Sequence, residues 1–518
     1  MRLLGIDFGT CYIKGAEVKR NGDVVPLKLG KSIDKPRIPN VGLYEKKEDQ
    51  PATILVGDIV LKRSAPEQDK IRNIKAYLQE YNWSRTLSFG QSVSAYEVTR
   101  DIMKNLYNEI HGSNKETDIS AVITMPVNFS RRQQLMVKQA AEEAGFLING
   151  VITEPFAAFF SLMQEEMEED HNVMIFDFGG GTMDLCLVEV RQQKGKTRIE
   201  TQSTVGISYG GNDLNEDLLR ELLCKREPDK IQAVLGPHNN AKDQMFNRYY
   251  IMKSLDEMKE ALFGSDAEEK AELLIEHYGG AIQDFGKVTV EDVYQVLETQ
   301  NWTKRIHRLL DGLFCDSDDM TADEVTDIYM VGGSSSIPYF RTILEEYFHK
   351  NGHEDVKTLF ERNDEMDLED RLYTTVANGA AIFNQLVTSG DEGIVIKDKI
   401  PFMVYTKDEA GRKLTPLMKN DSYKDYRSRL DRLTEAMKRE MRIRVYQTIF
   451  GETEKEVYLG DIQLSQEIAG QATMYQLMTD KDRNVLAELG YLDSEEGYEA
   501  EENRFCVDWR CKLEIDLT

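Results

Sequence analysis

Two carboxylates flank a run of glycines in the middle of the chain. Residues 173–190 read VMIFDFGGGTMDLCLVEV: an apolar strand, Asp177, the turn Gly179, Gly180 and Gly181, the hydroxyl of Thr182, then Asp184 and a returning strand. Strands joined by consecutive glycines form a hairpin whose backbone can come close to a ligand, because no Cβ intervenes. Successive amide N–H groups in such a turn make an anion cradle. Asp177 at its mouth offers the hard oxygen that a phosphate-bound Mg2+ needs. The chemistry expected of these residues is phosphate binding assisted by a metal.

The opening of the chain repeats the pattern. Residues 3–18, LLGIDFGTCYIKGAEV, place Asp7, Gly9 and Thr10 after an apolar strand and before a returning one. A third turn, Gly332, Gly333 and Ser334, ends the apolar strand expected over 325–331. The repeated hairpin suggests two related halves facing each other across one nucleotide, and three glycine turns, each closing a buried strand, point to a functional rather than a purely structural role.

The elements that must position these turns follow from periodicity. Helices are expected over 65–81, 94–111, 130–145 (Ser130 as N-cap, Gly145 as stop), 155–169, 338–350 and 374–386, and a buried strand over 118–126. A turn at Gly210, Gly211, Asn212 and Asp213 opens a long region, 214–302, that reads as helical with few strand signals. The acidic run 165–170 reads as a solvated helix end. Beyond a short connector at 390–399, strand alternation dominates, clearest over 441–450 and 504–518, where Phe505, Val507, Trp509, Cys511, Leu513, Ile515 and Leu517 share one face. This reads as a small β-sandwich with helical or loop insertions at 427–440 and 480–502, the second strongly acidic.

Composition narrows the class. At 518 residues the length suits about three domains or a large two-lobed one. A hydrophobic fraction of 41% suffices for sizeable cores. The net charge of −27 argues against nucleic acid and anionic membrane surfaces as partners. Six scattered cysteines without a CxxC pair fit a reducing, cytoplasmic setting. Met1 leads straight into a strand, so no targeting segment is expected, and no apolar run is long enough to span a membrane.

Weaker motifs fall away. Asp-Phe-Gly alone also occurs in protein kinases, but their other loops are missing here. Lys194-Gly195-Lys196-Thr197 has the ending of a phosphate loop, yet Val190 stands where that loop requires glycine. His349 and His353 have helical spacing, but Gly352 lies between them and no carboxylate completes a metal site.

The chain resembles the actin-like (ribonuclease H-like) ATPase superfamily, and within it the heat-shock 70-kDa chaperones of the DnaK type. The matching segments are GIDFGTCY (5–12), NIKAYL (73–78), ITMPVNF (123–129), ITEPFAAF (152–159), IFDFGGGTMDL (175–185), YGGNDLN (209–215), YMVGGSSSIP (329–338) and VANGAA (376–381), in order across residues 1–386. The resemblance implies an α/β fold: duplicated actin-like ATPase lobes (1–388), a linker (389–399) and a β-rich domain (400–518) similar to a lidless substrate-binding domain. It implies ATP or ADP with Mg2+ as ligands.

Carried over residue by residue, Thr10, Cys11 and Tyr12 would cradle the β-phosphate beside Gly9. Gly180, Gly181 and Thr182 would hold the γ-phosphate beside Gly179. Asp7 and Asp177 would hold hydrated Mg2+, with Glu154 and Asp184 in the metal shell or positioning the attacking water. Lys75 matches the family's catalytic lysine; without the resemblance it reads as a surface lysine. Gly210, Gly211, Asp213, Asp256, Lys259, Gly332, Gly333, Ser334 and Ser336 would complete the nucleotide-binding set. The implied activity is slow ATP hydrolysis that controls how the β-domain engages a protein or peptide client, with co-chaperones as further partners.

Departures from the family pattern qualify this. Glu260 stands where the chaperones place an arginine in the adenine pocket, and Ser336 where a second arginine is expected. Gln134 replaces an arginine tied to interdomain signalling. With no helical lid after the last strand, fast release of bound peptide is expected. Two other functions stay open: a nucleotide-binding scaffold with negligible turnover, and a small-molecule kinase of the same superfamily.

Overall fold

The computed structural model describes the chain except residues 31–35, 48–49, 62, 64, 81, 113–117, 164–168, 278–280, 316, 318–319, 391–392, 398–402, 418–426, 450–454, 480–484, 494–503 and 516–518. Most of the acidic run at 165–170, the acidic part of the 480–502 segment, and Leu517 therefore lie outside the described residues.

Two sheets of the same design form the first part of the molecule. In one lobe the strand Arg2–Phe8 pairs in parallel with Ile119–Met125 and antiparallel with Tyr12–Val18; Leu147–Thr153 and Val24–Pro26 lie at the edges. In the other, His171–Phe178 pairs in parallel with Asp327–Val331 and antiparallel with Met183–Gln193, which continues to Lys196–Ile207. The hairpins anticipated from the glycine turns thus occupy equivalent places in two similar sheets. Their central strands are buried on both faces, which explains their near-continuous apolar runs.

The helix Thr375–Ser389 crosses between the lobes and packs on Glu154–Leu162. Its small residues are needed there: a Cβ at Gly379 would overlap the Ala157 carbonyl. Asn384 ties the helix to the first sheet, its amide donating to the carbonyls of Leu4 and Ser120 at 2.9 and 3.1 Å. Helix Arg131–Ala144 begins and ends as its sequence indicates. Ser130 and Gln133 form a capping box, and Gly145 takes the left-handed conformation.

Several sequence expectations are corrected. The helix over 65–81 is instead a short 3-10 turn (Glu67–Asp69), the strand Lys70–Arg72 and one helical turn (Ile74–Tyr77), because Asn73 adopts a left-handed backbone that no helix interior tolerates. The region 214–302 is not helical throughout: the hairpin Lys270–His277 with Ala281–Thr289 interrupts it, burying Ala271, Leu273 and Ile275 in strict alternation. The segment read as a connector contains the strand Ile394–Lys397, which adds in parallel to Lys196–Ile207.

Two four-stranded sheets follow, in the orders Lys413–Leu417, Met403–Lys407, Arg442–Ile449, Lys455–Gln463 and Asp431–Arg432, Met474–Thr479, Val485–Asp493, Arg504–Lys512. They share one core that includes Val404, Leu417, Val445, Ile462, Tyr475 and Leu489. This is the expected sandwich, but its insertions differ. Only Glu435–Glu440 is helical in the first, and Val485–Asp493 in the second is a strand. The last strand does not keep one face. A bulge opposite Leu489 and Gly490 takes up one extra residue, so Trp509 and Cys511 face the core while Val507 is exposed.

The sandwich touches the first lobe at the start of helix Arg131–Ala144, where the backbone N–H of Arg131 donates to Gln447 Oε1 at 2.9 Å. A β-domain side chain thus satisfies one of the free N–H groups of that helix. Gln134 is buried beside it and accepts from Arg131 at 3.3 Å. Among the described residues no helix is long and apolar enough to cross a membrane.

Candidate functional site

The tips of the two hairpins meet at the base of a cleft of about 790 Å³ between the lobes. Gly179 N–H donates to the Thr182 carbonyl at 3.0 Å, closing the central turn. Gly211 and Asn212 brace it from outside, their N–H groups donating to the carbonyls of Gly179 and Gly180 at 3.0 and 2.9 Å. Across the cleft, Thr10 stands so close to Gly181 that a Cβ there would collide with its hydroxyl, and Cys11 Sγ reaches Asn212 Oδ1 at 3.4 Å. The third turn adds Ser334, whose hydroxyl donates to the Gly179 carbonyl at 3.2 Å.

Below the tips sit the ionisable groups. Lys75 Nζ lies 2.7 Å from Glu154 Oε1, both side chains buried. Glu154 opens the helix Glu154–Leu162 directly after a strand end, so the two sheets deliver Asp7, Glu154 and Asp177 to one floor. Burial raises the proton affinity of Glu154, partly offset by Lys75. Asp177 is pushed well above the usual carboxylate range by burial, then by repulsion from Glu154, Asp184 and Asp7. Asp184 is pushed up to about 8, again by burial first and Glu154 second. Buried acidic groups clustered in this way are neutralised by protonation or by a nearby cation, as Lys75 does for Glu154 and Lys14 for Asp7.

A metal is compatible with this floor in one form. Asp184 Oδ1 accepts from the Val127 N–H at 3.0 Å, while its Oδ2 is buried without a hydrogen-bond partner. Among the described residues no group of three or more His, Cys, Asp or Glu is close enough to chelate an ion. The oxygens therefore suit an ion that keeps its own waters, as Mg2+ does.

Most of the residues singled out in the sequence line this cleft: Asp7, Gly9, Thr10, Cys11, Tyr12, Glu154, Asp177, Gly179, Gly180, Gly181, Thr182, Gly211, Asp213, Asp256, Lys259, Gly332, Gly333, Ser334 and Ser336. Three stand behind its surface. Lys75 is buried against Glu154, Asp184 is fully buried, and Gly210 packs on the Gly180–Gly181 peptide. Lys259 holds the cleft wall, donating to the Gly211 carbonyl at 2.9 Å and pairing with Asp256 at 3.0 Å.

Sequence reasoning passed over Lys14, Arg37, Asn40 and Tyr373. Asn40 donates to the Gly9 carbonyl at 2.8 Å and steadies the first tip. Arg37 stacks between the rings of Tyr12 and Tyr373, at 4.1 and 4.3 Å, and reaches across to Glu260 Oε1 at 3.2 Å. So Glu260, where an arginine was expected, meets an arginine supplied by the opposite lobe.

Duplicated sheets with facing phosphate hairpins define an actin-like ATPase fold, here followed by a β-rich region. Residues 68–478 match the family model described as Hsp70 protein. The match covers well over half of the sequence, and the chain belongs to the Hsp70 family, whose members are ATPases that bind ATP or ADP with Mg2+ and act on protein clients. The match begins after the first hairpin, whose place in the site rests on its geometry.

Proposed function

We propose that this chain binds ATP between the hairpin tips, hydrolyses it slowly to ADP and phosphate, and uses its nucleotide state to control a C-terminal β-domain that engages a protein or peptide client. The observation that carries this is the Lys75–Glu154 pair at 2.7 Å beneath three glycine turns and beside Asp177. The turns present N–H groups to the phosphates. Asp7, Asp177, Glu154 and Asp184 would hold a hydrated Mg2+, which when bound would offset phosphate charge. Lys75 brings positive charge toward the γ-phosphoryl and holds Glu154 in place. Glu154, with its raised proton affinity, orients the attacking water and accepts its proton as the γ-phosphorus–oxygen bond to ADP breaks.

The domain division that goes with this reading is 1–388 for the ATPase, 389–399 for the linker and 400–518 for the β-domain. The linker's strand Ile394–Lys397 on the second sheet gives nucleotide state a route to the sandwich. All six cysteines are free thiols, which fits a cytoplasmic protein. Co-chaperones are further partners on this reading. The Arg37–Glu260 pair favours a second reading, a nucleotide-binding scaffold with negligible turnover, because it links the two lobes beside the expected base site. Turnover measured for wild type, Asp177→Asn and Lys75→Ala decides: loss in both variants supports the ATPase, and equal rates in all three support the scaffold.

A further inference from the structure

Lys14 lies directly across the first hairpin from Asp7, with Nζ 3.0 Å from Asp7 Oδ2. It lines the cleft, and its side chain is only 17% exposed. The other Asp7 oxygen accepts from the Thr124 hydroxyl at 3.4 Å, so both oxygens are engaged. The central hairpin repeats this geometry with the opposite charge. Asp177 pairs across its strands with Asp184, which stands at the same spacing from Asp177 as Lys14 does from Asp7. Equivalent positions therefore hold an ammonium on one wall and a carboxylate on the other.

The two walls differ electrostatically. Lys14 Nζ sits beside its own counter-charge, Asp7 Oδ2, at the cleft surface. That wall is neutral within itself. The opposite wall sets two buried acidic side chains, Asp177 and Asp184, against each other with no lysine between the strands, and Asp184 keeps one oxygen without a hydrogen-bond partner. An ammonium has three donors, and the bond to Asp7 leaves two for the cleft.

We propose that Lys14 is a resident cation of the nucleotide cleft: paired with Asp7, it gives bound phosphates a fixed positive charge and leaves the divalent metal to Asp177 and Asp184. The inference rests on the nucleotide-binding reading above and narrows its metal assignment to the second lobe. Asp7 then serves chiefly to hold Lys14.

The test is calorimetric titration of ATP into the full chain, as wild type and Lys14→Met, each in Mg2+ and in EDTA. Wild type is expected to keep measurable affinity in EDTA. Lys14→Met is expected to lose a further 10- to 100-fold or so there, the worth of a charge-assisted hydrogen bond, and less in Mg2+. Lys14→Arg should restore binding in EDTA. The double variant Lys14→Met/Asp7→Asn leaves no unpaired carboxylate and should behave as Lys14→Met, which separates the effect from misfolding. Mn2+ titration followed by paramagnetic relaxation gives a second readout. Asp177→Asn should weaken Mn2+ binding about tenfold more than Asp7→Asn, since only Asp7 is already paired. Equal EDTA penalties in wild type and Lys14→Met, or equal Mn2+ losses in Asp7→Asn and Asp177→Asn, overturn the proposal while the nucleotide reading stands. Failure of wild type to bind ATP even in Mg2+ overturns that reading and the inference with it.

Discussion

Lys75 and Glu154 form a buried ion pair of 2.7 Å that joins a one-turn helix of the first lobe to the helix Glu154–Leu162. The ammonium also lies 5.4 Å from the centre of the Phe129 ring, which holds it from a second side. Its charge is thus placed before any ligand arrives, which is how a site stabilises developing negative charge without reorganising. Lys75→Ala should lower single-turnover ATP hydrolysis by about 10²–10³-fold and change ATP affinity by less than about tenfold. Quench-flow hydrolysis beside equilibrium binding checks the split.

The floor carboxylates make stability depend on pH. In the folded chain Asp184 holds its proton up to about 8, well above its ordinary value of 3.8. Between those values the native state binds a proton that the unfolded chain has released, so stability falls as pH rises from about 4 toward 8. The slope from this group is at most roughly 1.4 kcal/mol per pH unit. Chemical denaturation at pH 5 and pH 8 without nucleotide should show the loss. Asp184→Asn should flatten it, and Mg2+ with ATP should reduce it by supplying the missing cation.

Arg37 joins the lobes at the mouth of the cleft. Its guanidinium is nearly buried between Tyr12 and Tyr373, whereas its partner Glu260 is 51% exposed. An ion pair open to solvent on one side contributes little, so Glu260→Gln should speed release of a fluorescent ADP analogue by only about two- to threefold. Arg37→Ala removes the stacking as well and should speed release by roughly tenfold. Unchanged release in Arg37→Ala would remove this pair from any account of nucleotide retention.

The strand Ile394–Lys397 is held by pairing with residues 197–200 and by Ile394 and Ile396 packing on the second lobe's core. Ile394→Asp/Ile396→Asp should detach it, because neither carboxylate has a partner there. Hydrogen exchange at the paired amides of residues 197–200 should then accelerate, and the β-domain should become more susceptible to protease. Wild-type exchange in the double variant would mean that the pairing contributes nothing to stability.

The scaffold of the site was legible because glycine turns after apolar runs are local signals. Asp7, Thr10, Asp177 and Thr182 each sit within a few residues of a glycine and came together in one cleft. What was missed depends on pairing between segments. Lys14 becomes meaningful only when the register sets it against Asp7, although laying one hairpin over the other would have matched it to Asp184. Arg37 lies on the three-residue strand Arg37–Pro39, too short to show periodicity. The hairpin at Lys270–Thr289 did carry alternation at Ala271, Leu273 and Ile275, but the residues between them, Glu272 and the exposed Leu274, are good helix formers and Leu274 is itself apolar, which masked it. The final strand's face was misread because a bulge leaves no mark in composition.

The most direct test of the account is calorimetric titration of ATP, in Mg2+, into this 518-residue chain and its Asp177→Asn variant. The account predicts saturable one-to-one binding by wild type, weakened about tenfold or more by a change that alters the charge of the floor and leaves the glycine turns intact. Absence of binding by wild type, or the same affinity in both proteins, would contradict it.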